Sequence, residues 1–181
     1  MNDRELIREI QRGKKEYLND IAEKYYDDIY RFCCYQTGSC QDAGDLAQET
    51  FLHFIRSVEQ FRYRNLKGYL LTIARNVCMD YFRGCQRRQE KEESFRQKAQ
   101  EDGAFAVSQQ ARSQQEEFLV TVEQMTEHLP QMQREAIVLY YGYGFKYREI
   151  ARITGVGIGT VKSRVRQGTR KLRKSMEEQG A

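Results

Sequence analysis

The sequence contains no tryptophan, one proline and two histidines in 181 residues. It also lacks runs of alternating Val, Thr and Ile, the mark of half-buried strands. With the long mixtures of Leu, Ile, Glu, Lys and Arg, this points to an all-α chain. No stretch approaches the roughly 20 apolar residues of a membrane span. The N-terminal MNDRELIREIQRGKK is a charged amphipathic helix pattern without the apolar centre of a signal peptide, so no direct membrane insertion is expected. Catalytic apparatus is missing as well. There is no glycine-rich phosphate loop, no pair of carboxylates at metal spacing, and no Ser or Cys beside a His. The expectation is a protein that is not an enzyme.

Five cysteines are present, Cys33, Cys34, Cys40, Cys78 and Cys85. Their odd number and helical surroundings predict reduced, buried thiols in a cytoplasmic protein. Two adjacent cysteines with a third six residues on make poor zinc geometry, and His53 and His128 are distant in sequence. Neither a metal nor a cofactor is expected.

What the chain does have is charge, unevenly placed. The net charge is +4, yet Gly144 to Met176 holds ten Lys or Arg and a single acid, Glu149, for a local +9. The remainder carries about −5, with acids gathered around Asp42 to Glu49 and Glu90 to Glu127. Such division predicts one face for a polyanion and another for a different partner.

Three parts follow from the patterning. Residues 1–89 read as a helical domain. In DAGDLAQETFLHFIRSV, Leu46, Ala47, Phe51, Phe54, Ile55 and Val58 form one stripe, with Asp45, Gln48, Glu49 and Leu52 on another face. In NLKGYLLTIARNVCMDYFRG, Leu66, Leu70, Ile73, Ala74, Val77 and Tyr81 form the buried stripe, and Thr72, Arg75, Asn76, Met79 and Arg83 the outer side. Residues 90–115 are polar and nearly devoid of apolar anchors, which predicts a flexible linker, partly helical at best. Residues 116–181 read as four helices. The first covers Phe118 to His128, and the second starts at Pro130, where a first turn tolerates the missing N–H.

The basic stretch REIARITGVGIGTVKSRVRQGTRKL then reads as a helix-turn-helix. Ile150, Ala151 and Ile153 point inward, Gly155 supplies a left-handed turn residue, and Val156 fills the gap between the helices. Thr160 lies in the cap region of the second helix. Val161, Val165 and Leu172 face inward, while Lys162, Ser163, Arg166 and Arg170 face out. A helix with free N-terminal side chains and basic flanks suits base edges and phosphates respectively.

The segments DAGDLAQETFLHFI and FRYRNLKGYLLTIARNVCMDYFRGCQRR resemble the second region of bacterial RNA polymerase sigma factors of the extracytoplasmic-function type. LPQMQREAIVLYYGYGFKYREIARITGVGIGTVKSRVRQGTRKLRK resembles their fourth region. The two stand in the family's order and spacing and cover most of the chain outside the linker. The resemblance implies two small helical domains, a region 2 bundle and a region 4 helix-turn-helix, in an alternative sigma factor that directs promoter-specific initiation. Its implied partners are core RNA polymerase, through the clamp coiled coil and the flap, promoter DNA, and an anti-sigma factor.

By the same resemblance, Asp45, Gln48, Glu49 and Leu52, anchored by Phe51, fall where the family docks on the polymerase clamp. Phe61, Arg62, Tyr63 and Arg64 match the loop that captures a flipped base. Arg75, Asn76, Met79, Asp80 and Arg83 match the helix that opens the minus-ten element. Arg148, Gly159, Thr160, Lys162, Ser163, Arg166 and Arg170 match the minus-thirty-five reader. Where the family often carries tryptophans, this chain has Phe54-Ile55 and Gly68-Tyr69. From the residues alone, Asp45 and Glu49 also suit a solvated helix face, and Phe61 and Tyr63 also suit closing the bundle. A promoter-binding regulator that never enters the polymerase would account for the C-terminal domain but leaves the acidic stripe without a task.

Overall fold

The computed structural model describes residues 1–37, 40–62, 65–96, 126 and 128–179. Every regular element among them is helical. Helix α1, Asp3–Gln11, starts where it does because Asn2 and Glu5 form a capping box. The Asn2 side chain accepts from the Glu5 N–H at 3.0 Å, and the Glu5 carboxylate accepts from the Asn2 N–H at 2.9 Å. Leu6, Ile7 and Ile10 are its buried face. Helix α2, Tyr17–Thr37, contributes Ile21, Ile29 and Phe32 to the centre of the bundle. Helix α3, Cys40–Ser57, packs along it and ends in a short 3-10 turn at Val58–Gln60. Gln11 holds that turn to α1 by donating to the carbonyls of Val58 and Phe61, each at 2.9 Å.

Helix α4, Leu66–Arg96, is started by Asn65, whose side chain accepts from the Gly68 N–H at 3.0 Å. It continues to Arg96, past the boundary at residue 89 that composition suggested. Its buried face is shifted from the expected stripe: Leu71 and Cys78 are buried along with Leu66, Leu70, Ala74 and Val77, while Ile73 and Tyr81 are half-buried. The cause is geometric, since α4 is packed by α2, α3 and a helix of the C-terminal half. One stripe of a helix cannot satisfy three neighbours. Ile55 of α3 departs the other way, lying 43% exposed beside the acidic face rather than in the core.

The C-terminal half begins its described helices with α5, Gln131–Ile137. Pro130 is the residue just before the helix, with φ −53° and ψ 142°, one place earlier than the first-turn position expected. Of the helix predicted over residues 118–128, only Thr126 and His128 are described. A wide turn at Val138–Gly142, in which the Tyr143 N–H reaches the Val138 carbonyl at 3.1 Å, swings the chain out of α5. Helices α6, Tyr147–Thr154, and α7, Ile158–Gln179, follow. Because α7 starts at Ile158, Thr160 belongs to its first turn and is not its cap. The two halves touch, α4 against α6, and their buried residues form one continuous apolar cluster.

Gly168 of α7 lies tight against α5. A Cβ there would meet Ile137 Cγ1 of α5 at 2.8 Å and Cδ1 at 3.2 Å, and Ile137 is itself buried. In an open helix, Gly→Ala gains about 1 kcal/mol of propensity. Forcing extra volume into a packed contact costs about 1–3 kcal/mol. The nearer of the two atoms is Cγ1, next to the backbone of buried Ile137, so relief needs α5 to shift and the clash wins. Gly168→Ala is expected to lower the urea midpoint, with the slope of the transition unchanged.

Candidate functional site

Three surfaces gather the residues singled out by sequence. On α3, Asp45, Gln48, Glu49 and Leu52 are all exposed along one strip. Phe51 turns inward, 8% exposed, and stacks on Tyr26 with ring centres 6.3 Å apart, which fixes the helix under the strip. Glu49 lies 3.6 Å from His53. Leu52, 53% exposed, and the outward Ile55 add apolar surface to the carboxylates. Acidic groups flanking an apolar ridge suit a partner that is basic at its rim and apolar at its centre.

The second surface is α4 with the loop before it. Phe61 is half-buried, its ring centre 4.5 Å from that of Tyr69, and Tyr69 donates to Ser57 at 2.9 Å. Arg62 is exposed; Tyr63 and Arg64 lie outside the described residues. Farther along, Asn76, Asp80 and Arg83 are exposed, with Arg83 2.9 Å from Asp80, and Met79 is half-buried. A cleft of about 430 Å3 separates the loop from α6, lined by Phe61, Arg62, Asn65, Tyr69, Glu149 and Arg152.

Arg75 departs from its expected outward position. Its side chain is only 14% exposed, and its Nε donates at 2.7 Å to Glu135 of α5, which is 4% exposed. Gln36 of α2 donates to the same carboxylate oxygen at 3.3 Å. Glu135 was not among the sequence candidates, although an acid beside the apolar run Ala136-Ile137-Val138-Leu139 was the available signal. Around it lie other ties between the halves. Tyr143 donates to the Asp28 carbonyl at 2.7 Å, and the Lys67 ammonium sits 5.1 Å from its ring centre. Burial, reinforced by Asp28, pushes the Tyr143 hydroxyl well above the usual tyrosine range, so it stays a donor near neutrality. Asn65 donates to Glu149 at 3.2 Å, while the other Glu149 oxygen accepts from the Lys146 N–H at 2.9 Å, at the start of α6.

The third surface is the helix-turn-helix. Gly155 takes φ 71° and ψ 21°, and its N–H closes α6 onto the Ala151 carbonyl at 2.9 Å. Ile150, Ile153, Val161 and Val165 are buried between α6 and α7, whereas Ala151 is half-buried. Arg148, Gly159, Thr160, Lys162, Arg166 and Arg170 are exposed and Ser163 partly so. Most of these basic groups border a shallow groove of about 670 Å3 whose other wall is Tyr141 and Tyr147. Lys162 stands 6.0 Å from the Tyr147 ring centre, and Gln167 donates to Ser163 at 3.1 Å. A basic, exposed helix held at a fixed angle by an apolar seam is the geometry that enters a major groove.

Of the five thiols, the side chain of Cys40 lies outside the described residues. Cys33, Cys34 and Cys78 are buried and Cys85 is half-buried. A hydrogen bond with Cys78, together with burial, pushes the Cys33 thiol up, away from the reactive thiolate.

Residues 21–89 match the family description of sigma-70 region 2, and residues 119–172 match sigma-70 region 4. The chain belongs to the sigma-70 family. Among its curated relatives, an extracytoplasmic-function RNA polymerase sigma factor of Rhodopseudomonas palustris is 34% identical, covering 91% of this chain and 87% of that one. Another, of Bacillus subtilis, is 27% identical and covers 95% of each. Among solved structures, a Bartonella quintana sigma factor in complex with the anti-sigma factor NepR is 26% identical, with a TM-score of 0.65 over 90% of this chain and 98% of that one. This sigma factor is therefore of the extracytoplasmic-function type, an alternative sigma subunit that directs promoter-specific transcription.

The turn of its region 4 gives a direct test of geometry. A side chain at Gly155 must adopt the left-handed conformation, which costs about 1–2 kcal/mol. Gly155→Ala is expected to destabilise the chain by that amount in urea titration. A neutral outcome would mean that α6 ends differently.

Proposed function

We propose that the sigma factor works as a two-headed adaptor between core RNA polymerase and promoter DNA, with each exposed surface serving one contact. The α3 strip of Asp45, Gln48, Glu49 and Leu52, braced by Phe51, meets the clamp coiled coil of the polymerase. Region 4 in turn meets the flap. Phe61, Arg62, Tyr63 and Arg64 take an unstacked minus-ten base. Arg75, Asn76, Met79, Asp80 and Arg83 follow the opened strand along α4. Arg148, Gly159, Thr160, Lys162, Ser163, Arg166 and Arg170 read the minus-thirty-five duplex. The observation that carries this reading is the separation of faces: carboxylates with Leu52 on α3, and exposed arginines and lysines along α7.

Each contact is binding chemistry, and the protein forms no covalent intermediate. Residues 1–89 and 116–181 act as the two heads, with residues 90–115 as the connection that sets their effective concentration on the promoter. The site of action is the cytoplasm, where the polymerase works. An anti-sigma factor is the natural silencing partner; the Bartonella quintana sigma factor is in complex with one.

Transcription in vitro tests the assignment. Core polymerase, this protein and a library of genomic fragments should yield defined start sites that require the protein. Asp45→Arg with Glu49→Arg faces like charges across the clamp contact, a cost of several kcal/mol. Initiation should fall at least about tenfold at unchanged helicity. DNA binding by α7 without any gain of initiation would return the regulator reading.

On the DNA side, Arg170 lies beyond the first turns of α7 and is assigned to a phosphate. Arg170→Ala should weaken duplex binding evenly across sequences and reduce the slope of log K against log salt by about 0.9. A change confined to one base position would reassign it to base reading.

A further inference from the structure

We propose that Gln11, the last residue of α1, is the positioning residue for the start of the base-capturing loop. Helix α1 would then take part in minus-ten reading without touching DNA. The proposal rests on the assignment of Phe61 and Arg62 to an unstacked base made above. Helix α1 lies ahead of the segment that matches region 2, and none of the contacts assigned above falls on it. Yet its last side chain reaches a residue 50 positions further along. The Gln11 amide nitrogen carries two N–H bonds and donates to the Val58 and Phe61 carbonyls, each at 2.9 Å. Those carbonyls bracket the 3-10 turn Val58–Gln60, and the Val58 carbonyl also accepts from the Phe61 N–H at 3.2 Å. Such a turn is short and its own bond geometry is poor, so an outside donor at both ends matters to it. Phe61 leaves it in extended backbone, φ −67° and ψ 120°, with its ring centre 4.5 Å from that of Tyr69. Tyr69 in turn donates to Ser57, the residue just before the turn, at 2.9 Å. The ring pair is thus held from two sides, by Gln11 through the backbone and by Ser57 through the Tyr69 hydroxyl.

The support behind Gln11 is stiff. Leu6, Ile7 and Ile10 of α1 are buried, Asn2 caps its first turn, and Asp3 pairs with Lys24 of α2 at 2.6 Å. Just past Gln11 the chain turns away at Gly13, with φ 97°. The residue type also fits the task. A carboxylate there would set oxygen against two carbonyl oxygens, and a methionine would reach as far with nothing to donate. The consequence for binding is one of preorganisation. A loop that must be ordered when the base arrives binds it more weakly, by the fraction of chains already in the competent form. Gln11 raises that fraction.

The test uses the full chain bound to core polymerase and a pool of single-stranded octamers of random sequence. Retained strands are sequenced, with core polymerase alone as the background. The parent should prefer one base at one position, and Phe61→Ala should erase that preference. Gln11→Met and Gln11→Glu should each weaken it about tenfold, as for a loop left competent in roughly one chain in ten. Asn2→Ala is the control for stability. It removes the cap of α1 and lowers the urea midpoint, but leaves the Gln11 amide in place, so the base preference should not move. An equal loss of preference in Asn2→Ala and Gln11→Met would assign the effect to the stability of α1 and overturn the positioning role. So would Gln11 variants that are folded, bound to core and as selective as the parent while Phe61→Ala is not. A parent without a preference at one position, or one that Phe61→Ala retains, would instead bring down the base-capture assignment and the role of Gln11 with it.

Discussion

A charge removed from water must meet its opposite, and in this chain the carboxylate of Glu135 and the guanidinium of Arg75 meet each other. The pair lies where α5 of one half faces α4 of the other, so it fixes which faces of the two bundles are turned together. Truncating either partner would leave an uncompensated buried charge, which is more costly than the pair is stabilising. That asymmetry makes the contact specific even where its net contribution is small. The apolar residues around it, joined across both halves in one cluster, supply the rest of the attraction.

The same chain keeps its working surfaces apart by sign. Carboxylates flank Leu52 and Ile55 on α3, while lysine and arginine line α7. On the proposed assignment, long-range steering brings each face to its own partner and away from the wrong one. Strong duplex binding by one small helix-turn-helix is not required, because the polymerase holds both heads near the promoter. A modest net charge hides this arrangement; its distribution does not.

The helices and their inner faces were legible in the sequence because a periodic apolar stripe is a local property. Leu46, Phe54, Leu66, Leu70, Ile150 and Val161 are buried as their spacing requires. Gly155 was legible for the same reason, since a left-handed residue between two helical runs needs no distant contact. What escaped was set by the meeting of elements far apart in sequence. Arg75 looked like an outward residue until α5 supplied Glu135, sixty positions later. Ile55 left the expected core, and Leu71 and Cys78 entered it, because the neighbours of α3 and α4 lie on sides that a single-helix pattern does not specify. Gly168 gave no sign of its role until Ile137 was found against it.

The central claim is that the two heads, packed on each other in this structure, read two promoter elements at once when the chain works. Elements named for positions 10 and 35 lie about 25 base pairs apart, roughly 85 Å of duplex at 3.4 Å per base pair. The most direct measurement is the distance between labels at Lys15 and Lys171, both exposed and one in each half, by pulsed electron resonance or single-molecule transfer. The account predicts a narrow distribution in the free chain and a shift to distinctly longer distances when core polymerase and promoter DNA are added. One distribution, unchanged between the two conditions, would contradict it.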